Sequence, residues 1–172
     1  MKNGYVQVYS GDGKGKTTAA VGLAVRAVGA GLRVFIAQFI KAQCSGEMRV
    51  LRERCPEVVV EPFGSGRFVH GKPTPEDIAI AEKGLARLRE VVSSGEFDVV
   101  IADEANGALR AGLFDVAALL ELADLGRGSV ELVFTGRNAH PALLERADLV
   151  TEMRLVKHYF DSGVSAREGI EL

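Results

Sequence analysis

Residues 11–18 read Gly11-Asp12-Gly13-Lys14-Gly15-Lys16-Thr17-Thr18, and this mix of glycine, ammonium and hydroxyl groups suits the binding of a chain of phosphates. A triphosphate needs many donors at short range, and a glycine-rich turn feeding a helix supplies backbone N–H groups with no Cβ in the way. Gly11, Gly13 and Gly15 give the permissive backbone, with Asp12 and Lys14 between them. Lys16 can set its ammonium against phosphate oxygens, and the Thr17 hydroxyl, followed by Thr18, is placed for Mg2+. The general pattern G-x-x-x-x-G-K-[ST] calls for glycine where this chain has Ser10.

A second group lies further on. Val99-Val100-Ile101-Ala102-Asp103-Glu104 is a hydrophobic strand ending in two acids, as expected of a strand end that holds or orients the metal of a phosphate loop. Spacing leaves open which of Asp103 and Glu104 ligates the metal and which accepts from a metal-bound water. Thr135-Gly136-Arg137-Asn138 ends another strand, where ligands gather in such sheets, so Arg137 joins Lys16 as a candidate catalytic cation. The segment from Val156 to Gly163 concentrates Lys157, His158, Tyr159, Phe160 and Asp161, which marks His158 as a side chain to locate.

These groups need a scaffold. The sequence predicts strands at Tyr5–Tyr9, Arg33–Phe39, Val58–Glu61, Asp98–Asp103, Val130–Phe134 and Leu149–Leu155. Helices are predicted at Thr17–Ala30, Pro75–Ser93, Phe114–Ala123 and Pro141–Ala147. Thr74 and Pro75 form a helix start, with Glu76 and Asp77 near its positive end. Strands spaced by helices imply an α/β fold with a mainly parallel sheet of about six strands and helices on both faces. The stretches 41–46 and 63–73 are expected to be irregular loops on the ligand side.

At 172 residues, with 47% apolar and 26% charged side chains, the chain is expected to form a single domain spanning 1–172. A net charge of −2 with no long basic run gives no footprint for nucleic acid or an anionic membrane. No apolar stretch approaches the roughly 20 residues of a membrane span, and the first residues run into a strand with no signal peptide, so a cytoplasmic protein is expected. Cys44 and Cys55 form no CxxC pair, and His70, His140 and His158 are scattered, which leaves no zinc site.

Four stretches together resemble the P-loop corrinoid adenosyltransferases: residues 9–34 around the loop, Ala37–Lys41, the Val99–Glu104 strand with Asn106, and residues 134–163. Members of that family also carry a non-glycine at the place of Ser10. The resemblance implies a RecA-like domain, a homodimer, Mg2+, and transfer of the 5′-deoxyadenosyl group of ATP to the Co(I) of a corrinoid with release of triphosphate. It also implies a reductase that delivers the electron for Co(I). Enteric members carry an N-terminal extension and a tryptophan in the loop after the third strand. This sequence starts at the first strand and has no tryptophan, and Phe68, near Phe63 and Val69, is the aromatic nearest that position and the candidate for the corrin's lower face. Co(I) is itself a strong nucleophile, so the protein has to place and orient its substrates and stabilise charge, not supply a base. The alternatives are a small-molecule kinase or ATP hydrolase using the same loop, and a nucleotide-dependent switch.

Overall fold

The computed structural model describes residues 3–41, 45–66 and 71–171. Its centre is a sheet of strands β1 (Val6–Ser10), β2 (Val34–Phe39), β3 (Val58–Phe63), β4 (Val99–Asp103), β5 (Glu131–Thr135) and β6 (Leu149–Glu152). The order across the sheet is β3-β2-β4-β5-β1-β6, and every pairing is parallel. β5 therefore stands between β1, which leads into the phosphate loop, and β4, which ends in the acids.

The strand sequences alternate between two cores. Phe35, Ala37 and Phe39 of β2, Val100 and Ala102 of β4, and Leu132 and Phe134 of β5 pack on one side with Leu88, Leu119, Leu122 and Leu143. Val34 and Ile36, Val99 and Ile101, and Val133 pack on the other with Ala20, Ala24, Ala27, Met48 and Leu51. Both faces of the sheet being covered, β2 and β4 read as apolar runs up to Gln38 and Asp103 at their C-terminal ends, and each large side chain so buried contributes roughly 1.5–3 kcal/mol.

The first face is covered by α3 (Pro75–Ser94), α5 (Val116–Gly126) and α6 (Pro141–Arg146). α1 (Lys16–Gly29) and α2 (Gly46–Arg54) cover the second. α1 presents alanines at 20, 24 and 27 to the sheet, one stripe at helical spacing whose small side chains bring the helix close to the strands.

The expected helix start at Thr74 and Pro75 is present as a capping box: Thr74 accepts from the Asp77 N–H and Asp77 accepts from the Thr74 N–H. Three elements were not expected: α2, α4 (Ala105–Arg110) and a 3-10 turn at Tyr159–Ser162. α2 buries only Met48 and Leu51, too little apolar periodicity to announce a helix. The last strand ends at Glu152, not Leu155, because the chain turns to meet the phosphate loop at Met153. Cys44, His70, Phe68 and Val69 lie outside the described residues.

Gly84, inside α3, is a packing requirement. A Cβ there would stand 2.8 Å from Phe39 Cε1 and from Phe63 Cγ. In a helix interior, glycine to alanine ordinarily gains about 1 kcal/mol, but overpacking against two rings costs about 1–3 kcal/mol. Gly84→Ala should therefore lower the midpoint of thermal or urea unfolding, whereas Gly22→Ala in α1, where a Cβ meets nothing within 4 Å, should raise it. A gain at both positions would show that α3 can move off the rings.

Candidate active site

The phosphate loop, residues 11–15, is shaped from outside as well as by its own glycines. Gly11 and Gly15 have φ of 95° and 120°, a region costly for residues with a Cβ. The chain after β6 presses on it: the Gly13 N–H donates to the Met153 carbonyl at 2.7 Å, and the Met153 N–H donates to the Ser10 carbonyl at 2.8 Å. A Cβ on Gly11 or Gly13 would lie 2.5 or 2.7 Å from the Met153 oxygen. No side chain caps the start of α1, where Gly15 is the N-cap, so its first N–H groups and the positive end of its dipole are left for an anion. Ser10, in the strand and 8% exposed, needs no glycine conformation. Its hydroxyl accepts from the Ala139 N–H at 3.1 Å, fastening the loop that carries Arg137.

Lys16 is 9% exposed, and its Nζ donates to the carbonyls of Gly11 and Gly13, both at 2.7 Å. Burial, with Arg137 adding to it, holds its pKa below the usual lysine value. Its ammonium thus sits under the loop, loosely enough solvated to favour an incoming anion.

Asp103 ties the parts together. Its Oδ1 accepts from the Thr17 hydroxyl at 2.9 Å and from the Thr135 hydroxyl at 2.7 Å, and its Oδ2 accepts from Gln38 Nε2 at 3.4 Å. Because the Thr17 proton is directed to Asp103, the free lone pairs of Thr17 Oγ1 are left for a cation. Thr135 Oγ1 accepts in turn from the Glu104 N–H at 2.9 Å, holding Glu104 in the left-handed conformation at φ 58°. Burial, and secondarily the Asp103 charge, push the Glu104 carboxyl above its ordinary pKa, against the opposing pull of Lys16, Lys41 and Arg137.

Hard oxygen donors from Thr17, Asp103 and Glu104 form a donor set that fits Mg2+, and Gln38 and Asn106, both fully buried, each keep a carbonyl oxygen with no partner among the described residues. That ion keeps several waters and takes few protein ligands when phosphates supply the rest.

A cavity of about 480 Å³ opens beside the loop, lined by Lys16, Thr17 and Thr18, with Lys41, Glu47 and Ile170 among the facing residues. Of the residues singled out in the sequence, the fold gathers Gly11, Gly13, Gly15, Lys16, Thr17, Asp103 and Glu104. Asp12 and Thr18 are exposed, Asp12 acting on Lys16 through charge and Thr18 lining the cavity. Arg137 is exposed and reaches the site electrostatically. Lys14 lines the same cavity, where its Nζ donates to the Ile170 carbonyl. His158 caps the 3-10 turn by accepting from the Phe160 N–H at 3.1 Å, the structural role open to it.

Sequence reasoning marked 156–163 and the loop from Lys41 but missed Gln38, Thr135 as a tether, the charge of Lys41 acting on Glu104, and Gly169, Ile170 and Glu171 beside the loop. Lys41 follows Ile40, a β-branched residue at φ 69°; such a backbone is strained, and no motif signals it.

The raised Glu104 pKa has a measurable consequence. Its folded-state pKa lies above the free value of 4.5, so the ionised carboxylate opposes folding. That deficit is absent below pH 4.5 and grows as pH rises through the folded value. Glu104→Gln should therefore melt higher than the wild type at neutral pH, without nucleotide or metal, and lose the advantage near about pH 4. Equal melting at both pH values would mean that the charge is already neutralised in the fold.

The family model for "ATP:corrinoid adenosyltransferase BtuR/CobO/CobP" matches residues 2–172. The chain is 36% identical over 171 residues to a corrinoid adenosyltransferase from Pseudomonas aeruginosa, covering 99% of this chain and 84% of that one. It is 34% identical over 173 residues to the corrinoid adenosyltransferase CobA of Salmonella typhimurium, covering 99% and 86%. Among solved structures, the flagellar accessory protein FlaH from Methanocaldococcus jannaschii shares the fold at 12% identity, with a TM-score of 0.58 over 88% of this chain and 72% of that one. The phosphate loop, the acidic strand end and the strand order stand in a chain matched almost end to end, and it belongs to the ATP:corrinoid adenosyltransferase family.

Proposed function

We propose that the protein, acting as one P-loop unit, transfers the 5′-deoxyadenosyl group of ATP to the Co(I) of a corrinoid. The observation that carries this reading is the clamped loop joined to Asp103 through Thr17, set in a chain of this family. In the reaction the Co(I) electron pair attacks C5′ of the ribose, a Co–C bond forms, the C5′–O5′ bond breaks, and triphosphate leaves with the bonding pair.

The residues have placement and charge to contribute. The uncapped start of α1 and the loop N–H groups would hold the leaving triphosphate; Lys16 would exchange loop carbonyls for phosphate oxygens, and Arg137 would add a second cation. Mg2+, when bound, supplies neutralisation of the leaving charge, with Thr17 and Glu104 as ligands and Asp103 setting the orientation of Thr17. Holding all of these groups in advance lowers the reorganisation needed in the transition state. Phe68 remains the side chain proposed for the corrin's lower face. A homodimer and an electron-donating reductase complete the proposal, on the strength of the family likeness. Among the described residues no helix is long and apolar enough to cross a membrane.

The phosphate product separates this function from its rivals. With ATP, Mg2+ and a chemically reduced corrinoid, the enzyme should release inorganic triphosphate and form a light-sensitive Co–C bond. ADP would instead support a kinase or hydrolase, and no turnover would support a switch. Lys16→Ala should lower the adenosylation rate by ~10²–10³-fold with circular dichroism unchanged; full activity in that variant would remove Lys16 from the phosphate site.

A further inference from the structure

The segment after β6 leaves the phosphate loop at Met153 and meets it again at Ile170, and it is fastened by its own side chains. Arg167 stacks over the Tyr159 ring at 4.9 Å. The Arg167 N–H donates to Glu171 Oε2 at 2.9 Å, and its guanidinium donates to the same carboxylate at 3.1 and 3.3 Å. The Tyr159 hydroxyl donates to Glu171 as well. The Arg167 contacts, with Tyr159 next, hold the Glu171 pKa at about 2, so the carboxylate is ionised at any working pH.

Thus closed on itself, the segment meets the loop at Lys14, whose Nζ donates to the Ile170 carbonyl at 2.7 Å and lies 3.7 Å from Glu171 Oε1. Gly169, Ile170 and Glu171 line the cavity beside the loop, together with Lys16 and Thr17, and with Val50 of α2. Its volume of about 480 Å³ is within the ~300–1,000 Å³ of small-molecule sites. The segment frames this space without filling it.

We propose that Gly169–Glu171 is a wall of the nucleotide's phosphate site, and that Lys14 couples it to the bound phosphates. This rests on the ATP-site reading given above. An ammonium has three donors; one is spent on the Ile170 carbonyl, and the others are free to turn to a phosphate oxygen. The same cation shields the phosphates from Glu171, which Arg167 neutralises from behind. Linkage then works both ways: the docked segment tightens nucleotide binding, and bound nucleotide holds the segment down by the same factor.

Two measurements without corrinoid test this. Calorimetric titration should show ATP affinity falling about tenfold, the scale of one charge-assisted contact, in Lys14→Ala, in a chain stopped after Arg167, and in the full-length Glu171→Ala. Combining Lys14→Ala with the truncation should be no worse than the weaker single change. Tryptic cleavage after Arg167 should be slowed in the wild type by ATP and equally by inorganic triphosphate. Unchanged affinity in the variants, multiplicative losses near a hundredfold, or protection by ATP alone would each overturn the coupling through Lys14. Tighter binding on truncation, or faster cleavage with ATP, would make the segment a plug and overturn the wall. A wild type that binds ATP with no such differences defeats only this inference; one that binds no ATP defeats the nucleotide reading too.

Discussion

The Asp103 carboxylate is the constraint on which the rest of the site depends. The loop follows β1 and the acids follow β4, and β5 lies between them, so the two halves of the site cannot be joined by strand pairing. One side chain has to span the gap. Asp103 does so by accepting from Thr17 on α1, from Thr135 at the tip of the intervening strand and from Gln38 on the neighbouring strand. Hydrogen bonds to a charged group are worth ~1.5–3 kcal/mol, and a 1% exposed carboxylate would be strongly destabilising without them. Removing any one donor leaves the others to carry a buried charge, so the arrangement is cooperative and narrow in geometry.

The period of two along each strand produces this cluster. Asp103 follows Val99 and Ile101, Gln38 follows Val34 and Ile36, and Thr135 follows Val133, all on the α1 face; Gln38 and Asp103 are also register partners. At the strand ends the apolar positions of that face give way to polar ones on three adjacent strands, and the fold converts this switch into a polar floor beneath the loop. The roof is set by crowding: the chain leaving β6 lies so close to Gly11 and Gly13 that a Cβ at either would meet the Met153 carbonyl.

Much of this was legible in the sequence. The loop, the acidic strand end, the α/β alternation and the Thr74 cap are local signals, each carried by a few consecutive residues with one physical explanation. Strand and helix limits moved by one to three residues, because ends are decided by caps and neighbours. α2 and α4 were missed because one buries only Met48 and Leu51 and the other is six residues with Gly107 inside. Gln38 and Thr135 could have been found by applying strand parity to β2 and β5 and asking which polar residue shares a face with Asp103. The Lys14 contact with Ile170 joins residues 156 apart, and no local pattern encodes such a pairing. Ser10 looked like a departure from a motif; it is in a strand where glycine has no advantage and its hydroxyl is used.

Local choices that oppose stability collect around the phosphate loop. Glu104 is ionisable, largely buried and left-handed; Ile40 is β-branched at positive φ; Gln38 Oε1 and Asn106 Oδ1 are buried without a partner; and the start of α1 has no side-chain cap. Elsewhere the sequence agrees with its fold, from the alanine stripe of α1 to the capping box of α3. Such conflicts persist only where the surrounding structure over-determines them. Apart from the backbone strain at Ile40, all are of a kind that an anion with its counter-cation would relieve: phosphate oxygens for the helix N–H groups and Lys16, a cation for Glu104, and its waters for the orphaned carbonyl oxygens. The free protein therefore carries part of the ordering cost of its complex in advance, as expected of a site that works by placement.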